Sequence, residues 1–341
     1  MSIVVPTRNR AASLKGTLDS LAGVAGLAEC CEVVIVDNGS HDGTAAVAQA
    51  FAESHGDLSV RVCSEPEPGL VAGRHRGVKE SSGELIAFVD DDVRFDPSWA
   101  MALVEAFADP AIGMACGPSL PRFEAPPPDW LEVMWRSAGD GLAYLGELSL
   151  LDLGDKRRPV DPLFVWGLNM AVRRTLLFEL GGFHPDGVPW GLRRYRGDGE
   201  TGLSLAARNS KVKAIYLPAA RVHHVVPGDR LTLEYMQRRS YLQGISESYA
   251  SLRTGNLGPA AAEPSRTRPE RAIAATRGAV GRLRQGRVSS QHGWLRSALR
   301  QSHAEGYAFH QRAFSDSQDL RDWVMKPDYW DYTLPDPREQ A

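Results

Sequence analysis

Short apolar runs alternate with amphipathic stretches over the first 116 residues, and this alternation most constrains the fold. The runs have the length and composition of buried or half-buried strands, and they cover residues 3–5, 33–36, 60–63, 85–89 and 112–116. Between them lie helical patterns, with apolar residues at spacings of three and four. Strands that alternate with helices need crossover connections, so the pattern predicts an α/β fold with a mostly parallel sheet and helices on both faces.

A proline-rich stretch over 118–129 divides the rest of the chain. Proline lacks the N–H group and fixes φ, so the stretch predicts a loop. After it we expect a strand around 163–172, a helix from Thr175, a helix after Glu200 and a strand over 212–217. We predict a main domain over 1–230, with halves at 1–116 and 130–230, followed by a mainly helical C-terminal region over 231–341.

The composition excludes several classes of protein. The 341-residue chain is 43% hydrophobic and 24% charged, and its formal net charge of −3 gives no reason to expect nucleic acid as a partner. No run approaches the roughly 18 consecutive apolar residues of a transmembrane helix, and the first residues lack the features of a signal peptide. The four cysteines are too sparse for a disulfide framework. We therefore expect a cytoplasmic protein.

Three consecutive carboxylates, Asp90, Asp91 and Asp92, follow the apolar run over 85–89. Like charges at the mouth of a sheet repel one another unless a cation neutralises them. Carboxylate oxygens suit Mg²⁺ or Mn²⁺, and these ions in turn bind diphosphate oxygens. The alternative is a solvated acidic turn before a helix that starts near Pro97, because acidic residues favour helix N-termini.

Two other predicted strands also end in polar residues. Asp37 follows the run over 33–36, although the turn formers behind it are common wherever a strand leads into a helix. Thr7 and Arg8 follow the first strand, and Arg8 could recognise phosphate through its guanidinium or be a solvated loop residue. Because ligands bind at the carboxyl ends of strands in such sheets, these residues are candidates for one site.

Four segments, at 4–10, 36–44, 69–77 and 83–92, together resemble family 2 glycosyltransferases of the GT-A fold in their order and spacing. The resemblance extends over roughly residues 2–230 and implies a GT-A type, Rossmann-like sheet. In one position the chain departs from the family, which usually has Arg-Asn where this sequence has Arg74-His75.

The resemblance implies the inverting transfer of a sugar from a nucleotide-diphosphate sugar, such as a UDP-sugar, to an acceptor hydroxyl. Its donor contacts would be Pro6, Thr7, Arg8 and Asp37 at the nucleobase and ribose, Arg74, and Asp90 and Asp91 at the ribose and diphosphate. Asp92 would be the leading ligand of a divalent metal, Mg²⁺ or Mn²⁺, with Asp90 as a further ligand. One base without a covalent nucleophile fits a single in-line displacement.

An acidic motif over 196–203 occupies the place where family members carry the general base. Aligned by the residues that follow it, Glu200 would be the base, and Asp198 would hold the acceptor or cap the helix. The same stretch matches the glycine pattern of dinucleotide-binding proteins, but no apolar strand precedes it, so we reject that interpretation. The remaining alternative is that both carboxylates only cap a helix.

The second half supplies further candidates through the resemblance. Trp166, Gly167 and Asn169 lie in a segment that resembles the family's stretch between donor and acceptor, although Trp166 could equally be a core residue. His223 and His224 follow the strand over 212–217, where similar enzymes place the last metal contact, and the spacing to Arg230 favours His224. A structural histidine is the alternative.

Two rival functions and the acceptor stay open. A nucleotidylyltransferase would need a glycine-rich phosphate loop after the first strand, and residues 6–10 contain no glycine. A non-catalytic carbohydrate-binding relative would lack the acidic residues, which are present. The acceptor could be a glycan, a lipid-linked sugar or a small natural product. The arginine-rich segment 266–312 could contact an anionic membrane or a phosphorylated acceptor, or be a solvated helix and linker.

Overall fold

The computed structural model describes residues 1–139, 142–255 and 293–335. Its strands are β1 (Ser2–Thr7), β2 (Glu32–Asp37), β3 (Ser59–Ser64), β4 (Leu85–Val89), β5 (Val93–Phe95), β6 (Ile112–Cys116), β7 (Ser119–Phe123), β8 (Arg136–Gly139), β9 (Leu142–Leu145), β10 (Leu150–Asp152), β11 (Arg158–Val160), β12 (Asn169–Arg173), β13 (Lys213–Tyr216) and β14 (Val222–Val226). The helices are α1 (Ala11–Leu21), α2 (Leu27–Cys30), α3 (Thr44–Ser54), α4 (Leu70–Glu80), α5 (Trp99–Ala106), α6 (Arg174–Glu179), α7 (Glu200–Asn209), α8 (Leu233–Thr254), α9 (Gly293–Asp316) and α10 (Gln318–Val324). Short 3₁₀ turns cover Asp129–Met134, Gly146–Leu148, Pro162–Phe164, Trp190–Tyr195 and Gly228–Leu231.

The main sheet confirms the predicted fold class. Its order is β11-β13-β6-β12-β4-β1-β2-β3, and β3, β2, β1 and β4 run parallel, as β13 and β6 do. The antiparallel strand β12 lies between β4 and β6. β1 and β2 are nearly continuous apolar runs, because helices cover both faces of a parallel sheet. All five strands predicted in the first 116 residues are present.

Alternate residues of the strands supply two cores on opposite faces of this sheet. Ile3 and Val5 pack with the apolar stripe of α1, whose Leu14, Leu18 and Leu21 are buried. Val4, from the same strand, belongs to the other core, which includes residues of α4 and of the C-terminal segment. Because the side chains of β1 point alternately to the two faces of the sheet, this one strand packs against the helices on both faces.

The prediction of a loop over 118–129 is wrong in its first half. Ser119–Phe123 forms β7, which joins a second sheet of order β5-β14-β7-β10-β9-β8. β7 pairs with β14 along its whole length, but with β10 only at Ser119. Pro121 is tolerated because the ladder on one side of β7 has already ended where the proline stands.

The second half of the chain follows the predictions with shifted boundaries. The expected strand around 163–172 begins only at Asn169, because Pro162–Phe164 forms a 3₁₀ turn. The two predicted helices are α6 and α7, and the strand over 212–217 is β13. The short strands β8 to β11 were not predicted, since three or four residues carry too little periodicity to be recognised.

In its described residues, 231–255 and 293–335, the C-terminal region is mainly helical, as predicted. α8 and α9 lie so close together that a Cβ atom at Gly244 would overlap the carbonyl oxygen of His303, and one at Gly306 would overlap that of Tyr241. After α10 the chain returns to the main domain, where Tyr329 is buried. The division at residue 230 stays a prediction. Residues 320–334, the C-terminal segment, share a core with residues before 230.

Most of the arginine-rich segment 266–312 lies outside the described residues. Its described part belongs to α9, where the side chains of Arg296, Arg300 and Arg312 are exposed. Over residues 1–139, 142–255 and 293–335, no helix combines the length and the apolar character needed to cross a membrane.

Candidate active site

The ends of β1, β2 and β4 meet at one edge of the main sheet and border a cavity of about 440 Å³. Its lining residues include Pro6, Thr7, Arg8, Arg10, Asn38, Asp90, Asp91, Asp92, Glu147, Ser149, His224, Arg230, Tyr235 and Arg239. The structure thus gathers most of the predicted donor contacts in one place. The clustering follows from the parallel sheet, which brings the carboxyl ends of these strands to the same edge.

Asp91 is buried beneath the cavity and held by residues from the β1 end. Thr7 Oγ1 donates to Asp91 at 2.7 Å, and Arg10 donates from one nitrogen to Asp91 at 2.6 Å and to Asp92 at 2.9 Å. Burial raises the pKa of the Asp91 carboxyl to about 6, although Arg10 opposes that shift. Arg10 therefore neutralises carboxylate charge for which the sequence analysis expected a metal ion alone.

Asp92 lies between Arg10, a residue of β14 (His224) and a residue that follows β14 (Arg230). Arg230 contacts its Oδ2 at 3.1 Å, and the Nε2 atom of His224 is 3.4 Å from its Oδ1. Burial works to raise the pKa of the Asp92 carboxyl, but the neighbouring guanidiniums of Arg230 and Arg10 hold it below its usual range. The carboxylate is thus ionised and largely removed from water.

The tautomer of His224 follows from its partners. Its Nδ1 lies 2.8 Å from the Leu148 carbonyl oxygen, which can only accept, so Nδ1 carries the proton. Arg230 donates to Nε2 at 3.1 Å, so Nε2 is an acceptor with a lone pair. A backbone carbonyl that fixes the tautomer in this way is the usual arrangement around metal-binding histidines.

Asp92 and His224 have the donor atoms that a divalent metal would use. Asp92 Oδ1 is buried and, among the described residues, accepts no hydrogen bond. It lies 3.4 Å from His224 Nε2, the nitrogen to which Arg230 donates, so an oxygen and an imidazole nitrogen lie side by side. Within 1–139, 142–255 and 293–335, however, no group of three or more His, Cys, Asp or Glu side chains is arranged around a metal position. The protein would supply part of a metal shell, and a bound diphosphate or water the remainder.

Arg74 connects this cavity to the acidic motif. Its side chain is almost fully buried, and it donates to Asp90 at 3.1 Å and to Glu200 at 2.9 Å. The guanidinium also lies 5.5 Å from the ring of Phe183. A Cβ atom at Gly167 would overlap it, so glycine at that position makes room for the arginine.

A second cavity of about 300 Å³ adjoins the first and shares Glu147, Ser149 and Arg239 with it. Its further lining residues include Arg136, Tyr144, Leu163, Trp166, Asp186, Arg196, Asp198, Glu200, Ser204, Ser246, Glu247 and His303. The side chains of Asp198 and Glu200 differ in exposure, at 4% and 26% respectively. Glu200 is the more accessible carboxylate of the acidic motif.

Besides Arg74 and Gly167, which are described above, three predicted site residues line neither cavity, and two of them are Asp37 and His223. Asp37 caps a turn, because its Oδ1 accepts from the Ser40 amide at 3.0 Å, and Asn38 rather than Asp37 lines the first cavity. His223 does not line the cavity that Asp90, Asp91 and Asp92 border, and its Nε2 atom lies 3.2 Å from Asp96. Neighbouring residues of a strand point to opposite faces, so β14 can bring only one of its two histidines to the cavity.

Asn169 is the third predicted residue that the structure places elsewhere. Its side chain is buried, accepts a hydrogen bond from Trp99 at 2.9 Å, and donates to the carbonyl oxygens of Pro118 at 3.3 Å and Ala220 at 2.9 Å. The amide joins β12 to the two neighbouring chain segments. Contact with an acceptor, which the resemblance implied, does not fit these bonds.

Several residues of the two cavities were not predicted as site residues. Arg10 could have been recognised, because it stands two positions after Arg8 in the same polar run. No comparable signal marks Glu147, Ser149 and Arg239, since they come from the turn between β9 and β10 and from α8. Only the packing of these elements against the main sheet brings them to the site.

Comparison with known proteins adds a family assignment. Residues 2–181, more than half of the chain, match the family model described as Glycosyl transferase family 2. The chain belongs to this family. The resemblance predicted from the sequence is therefore confirmed, and with it the assignment of the protein to the glycosyltransferases.

Two relatives and one solved structure show the extent of the similarity. Validoxylamine A glucosyltransferase from Streptomyces hygroscopicus subsp. jinggangensis is 30% identical over 211 residues, 56% of this chain and 48% of the relative. Glucosyl-dolichyl phosphate glucuronosyltransferase from Haloferax volcanii is 24% identical over 74% of this chain and 77% of the relative. The chain spans about half the length of the first of these. A Pyrobaculum calidifontis mannosyltransferase, solved with GDP-Man and Mn²⁺, shares the fold at TM-score 0.52 and 20% identity over 95% of this chain and 83% of its own.

Proposed function

We propose that this family 2 glycosyltransferase transfers a sugar, with inversion, from a nucleotide-diphosphate sugar to an acceptor hydroxyl. The donor that we propose is a UDP-sugar. One observation carries the proposal. Two polar cavities share a wall, and the buried Arg74 holds a carboxylate from each of them, Asp90 and Glu200. A donor in the first cavity and an acceptor in the second would meet at that wall.

The first cavity has the chemistry of a nucleotide site. Pro6 and Thr7 would border the nucleobase and ribose, together with the turn that Asp37 caps. Arg8, which is exposed at the rim, and Arg239, which both cavities share, offer guanidiniums to a diphosphate. The proposed donor is therefore anionic at its centre and carries its sugar towards the second cavity.

We propose Asp92 and His224 as the protein ligands of a divalent metal. The Mn²⁺ in the mannosyltransferase of the same fold supports this assignment. When bound, such an ion neutralises charge on the departing diphosphate. Arg10 and Arg230 both contact the Oδ2 atom of Asp92, and they would hold the carboxylate in place as a ligand through Oδ1.

We propose Glu200 as the general base. It lines the acceptor cavity, and the hydrogen bond from Arg74 fixes its carboxylate while leaving part of it accessible. A base on the acceptor side removes the proton from the attacking hydroxyl as the new glycosidic bond forms and the bond to the diphosphate breaks. Asp198, which is more buried, would hold the acceptor.

The second cavity suits a saccharide or a sugar-like acceptor. Trp166 and Tyr144, whose rings lie 6.2 Å apart, provide an aromatic wall, and charged groups surround the remainder. By their names, the two relatives glycosylate validoxylamine A and a glucosyl-dolichyl phosphate. The second acceptor carries a glucosyl group, and a sugar of this kind is what we expect this cavity to bind.

The proposal predicts a metal requirement that depends on Asp92. Incubation with a panel of UDP- and GDP-sugars and Mn²⁺, followed by mass spectrometry, should reveal nucleoside diphosphate and a glycosylated or hydrolysed product. EDTA or Asp92→Ala should reduce turnover at least about a hundredfold, because each removes stabilisation of the leaving group. Full activity in EDTA would contradict the metal assignment. Conversion of the donor to a nucleoside triphosphate and a sugar 1-phosphate, only when pyrophosphate is added, would indicate a nucleotidylyltransferase.

A further inference from the structure

A histidine on the loop before α7 holds Asp198, the first carboxylate of the acidic motif. His184 Nδ1 lies 2.5 Å from Asp198 Oδ1, and the Asp198 side chain is only 4% exposed. The backbone keeps the two segments in register, since His184 donates to the Gly199 carbonyl at 3.1 Å and Gly197 donates to that of Pro185 at 2.7 Å. The pair is thus built by the fold and does not depend on a flexible side chain.

Two glycines beside Asp198 leave the space that the histidine needs. A Cβ atom at Gly202 would overlap the His184 ring and lie 2.7 Å from Asp198 Oδ1. At Gly197, a Cβ atom would lie 2.9 Å from the His184 Cβ. Gly197 and Gly202 are two of the three glycines that give the motif its likeness to a dinucleotide-binding loop. The structure gives them another role, which is to admit an imidazole against the carboxylate.

The C-terminal region fixes the other side of the histidine. Its ring centre lies 5.3 Å from that of Tyr249 on α8 and 5.5 Å from that of Tyr329. Tyr249 donates to the Tyr329 hydroxyl at 2.8 Å, and Tyr329 donates to the Trp323 carbonyl at 2.5 Å. Burial raises the pKa of Tyr329 to about 12, so this chain of hydrogen bonds keeps its protons at neutral pH.

We propose that His184 is a positioning residue for Asp198 in the acceptor cavity. Its N–H group donates to one carboxylate oxygen in a charge-assisted bond, which fixes the orientation of the group that lines the cavity. Tyr249 and Tyr329 prevent the imidazole from turning away. The inference rests on the proposed glycosyl transfer, because the role of Asp198 in acceptor binding is part of that proposal.

Two substitutions separate the hydrogen bond from the packing of the ring. His184→Asn keeps a side-chain N–H donor near Asp198 but loses the ring, whereas His184→Phe keeps a ring between the tyrosines but loses the donor. We expect acceptor kcat/KM to fall about tenfold to a hundredfold in the phenylalanine variant, the range for partners that orient a reacting or ligating group. The asparagine variant should recover most of it. His55→Asn, on a histidine at the end of α3, is the control.

The assay uses UDP-glucose and GDP-mannose as donors with Mn²⁺, and methyl α-D-glucopyranoside as the acceptor probe. Nucleotide binding by calorimetry should be equal in wild type and both His184 variants, because His184 does not line the donor cavity. Thermal unfolding of both variants measures how much stability each has lost, and activity is compared with that loss. The proposal fails if the phenylalanine variant is fully active, or if both variants lose activity in proportion to their loss of stability.

A spectroscopic measurement keeps this inference separate from the proposed function. If wild type transfers no sugar from these donors, the proposed function fails, but the His184–Asp198 pair can still be examined by ¹⁵N NMR. We expect a protonated Nδ1 in His184, with a resonance that shifts in Asp198→Asn and not in Asp37→Asn. An unprotonated Nδ1, or a resonance unaffected by Asp198→Asn, would overturn the inference.

Discussion

At the scale of single residues, the site depends on arginines buried against carboxylates. Arg74 binds Asp90 and Glu200, and Arg10 binds Asp91 and Asp92. Each guanidinium offers several N–H donors in a fixed plane, so one side chain can serve two carboxylates. The three consecutive aspartates are therefore already compensated by protein groups. Their mutual repulsion alone does not require a metal, and the case for one is the orientation of Asp92 and His224.

We predict that Arg74→Gln is strongly destabilising. The change leaves two partly buried carboxylates without their shared cation, and breaking a buried ion pair from one side costs about 3 kcal/mol or more. Arg76→Gln is the matched control, since Arg76 lies two residues further along α4, is 40% exposed and pairs with Glu80 on the surface. Loss of that surface pair should cost less than about 1 kcal/mol. Equal midpoints for the two variants in urea denaturation would refute the prediction.

The two carboxylates of the acidic motif should differ in kinetic effect. Glu200→Gln should keep donor and acceptor binding but lower kcat on the order of a hundredfold or more, as expected for a positioned general base. Asp198→Asn should act partly through the acceptor KM, because we assign it to acceptor binding. Steady-state kinetics with varied acceptor distinguishes the two, and the reverse pattern would move the base to Asp198.

At the scale of elements, the C-terminal segment is attached through the residue at which the chain departs from the family. His75 is buried on α4, lies 2.9 Å from the Tyr329 carbonyl through Nδ1, and accepts from the Phe183 amide at 3.0 Å. Its ring stacks on Trp330 at 4.3 Å. Histidine at this position thus joins α4, the loop before His184 and the C-terminal segment.

His75 should make stability depend on pH. Burial lowers its pKa from the ordinary value of 6.5 to about 3, because the folded protein needs the neutral ring. The unfolded chain binds the proton more tightly, so the stabilisation is complete above pH 6.5 and decreases as the pH falls towards 3. His75→Asn should flatten the unfolding free energy between pH 6.5 and 4 relative to wild type. An equal slope in wild type and variant, measured by urea denaturation, would contradict this account.

The pairing of α8 and α9 depends on glycine. An alanine Cβ at Gly244 would overlap the His303 carbonyl oxygen, so the helices would have to separate. Although Gly→Ala within a helix usually stabilises by about 0.5 to 1 kcal/mol, we predict that Gly244→Ala destabilises by about 1 to 3 kcal/mol through overpacking. Gly56→Ala is the control, because a Cβ there meets no atom within 4 Å. A thermal midpoint for Gly244→Ala at or above that of wild type would exclude such close packing.

At the scale of the whole molecule, the sequence predicted what is local and missed what depends on packing. The ends of β1 and β4 could be located because apolar runs mark each strand, and parallel strands bring their carboxyl ends together. The second sheet is built from strands as short as β10 (Leu150–Asp152), in which no period can be recognised. The turn between its strands β9 and β10 supplies Glu147 and Ser149 to both cavities, so this part of the site could not be predicted. Likewise, no sequence pattern indicates that the Asn169 side chain is hydrogen-bonded within the core or that His184 contacts Asp198.

The stereochemistry of transfer tests the central claim most directly. Proton NMR can follow UDP-α-D-glucose, Mn²⁺ and methyl α-D-glucopyranoside with the full chain, and the anomeric coupling constant reports the configuration of the new bond. The account predicts release of UDP together with a β-linked product, because one base and no covalent nucleophile give a single displacement. An α-linked product, or cleavage that yields glucose 1-phosphate in place of UDP, would contradict it.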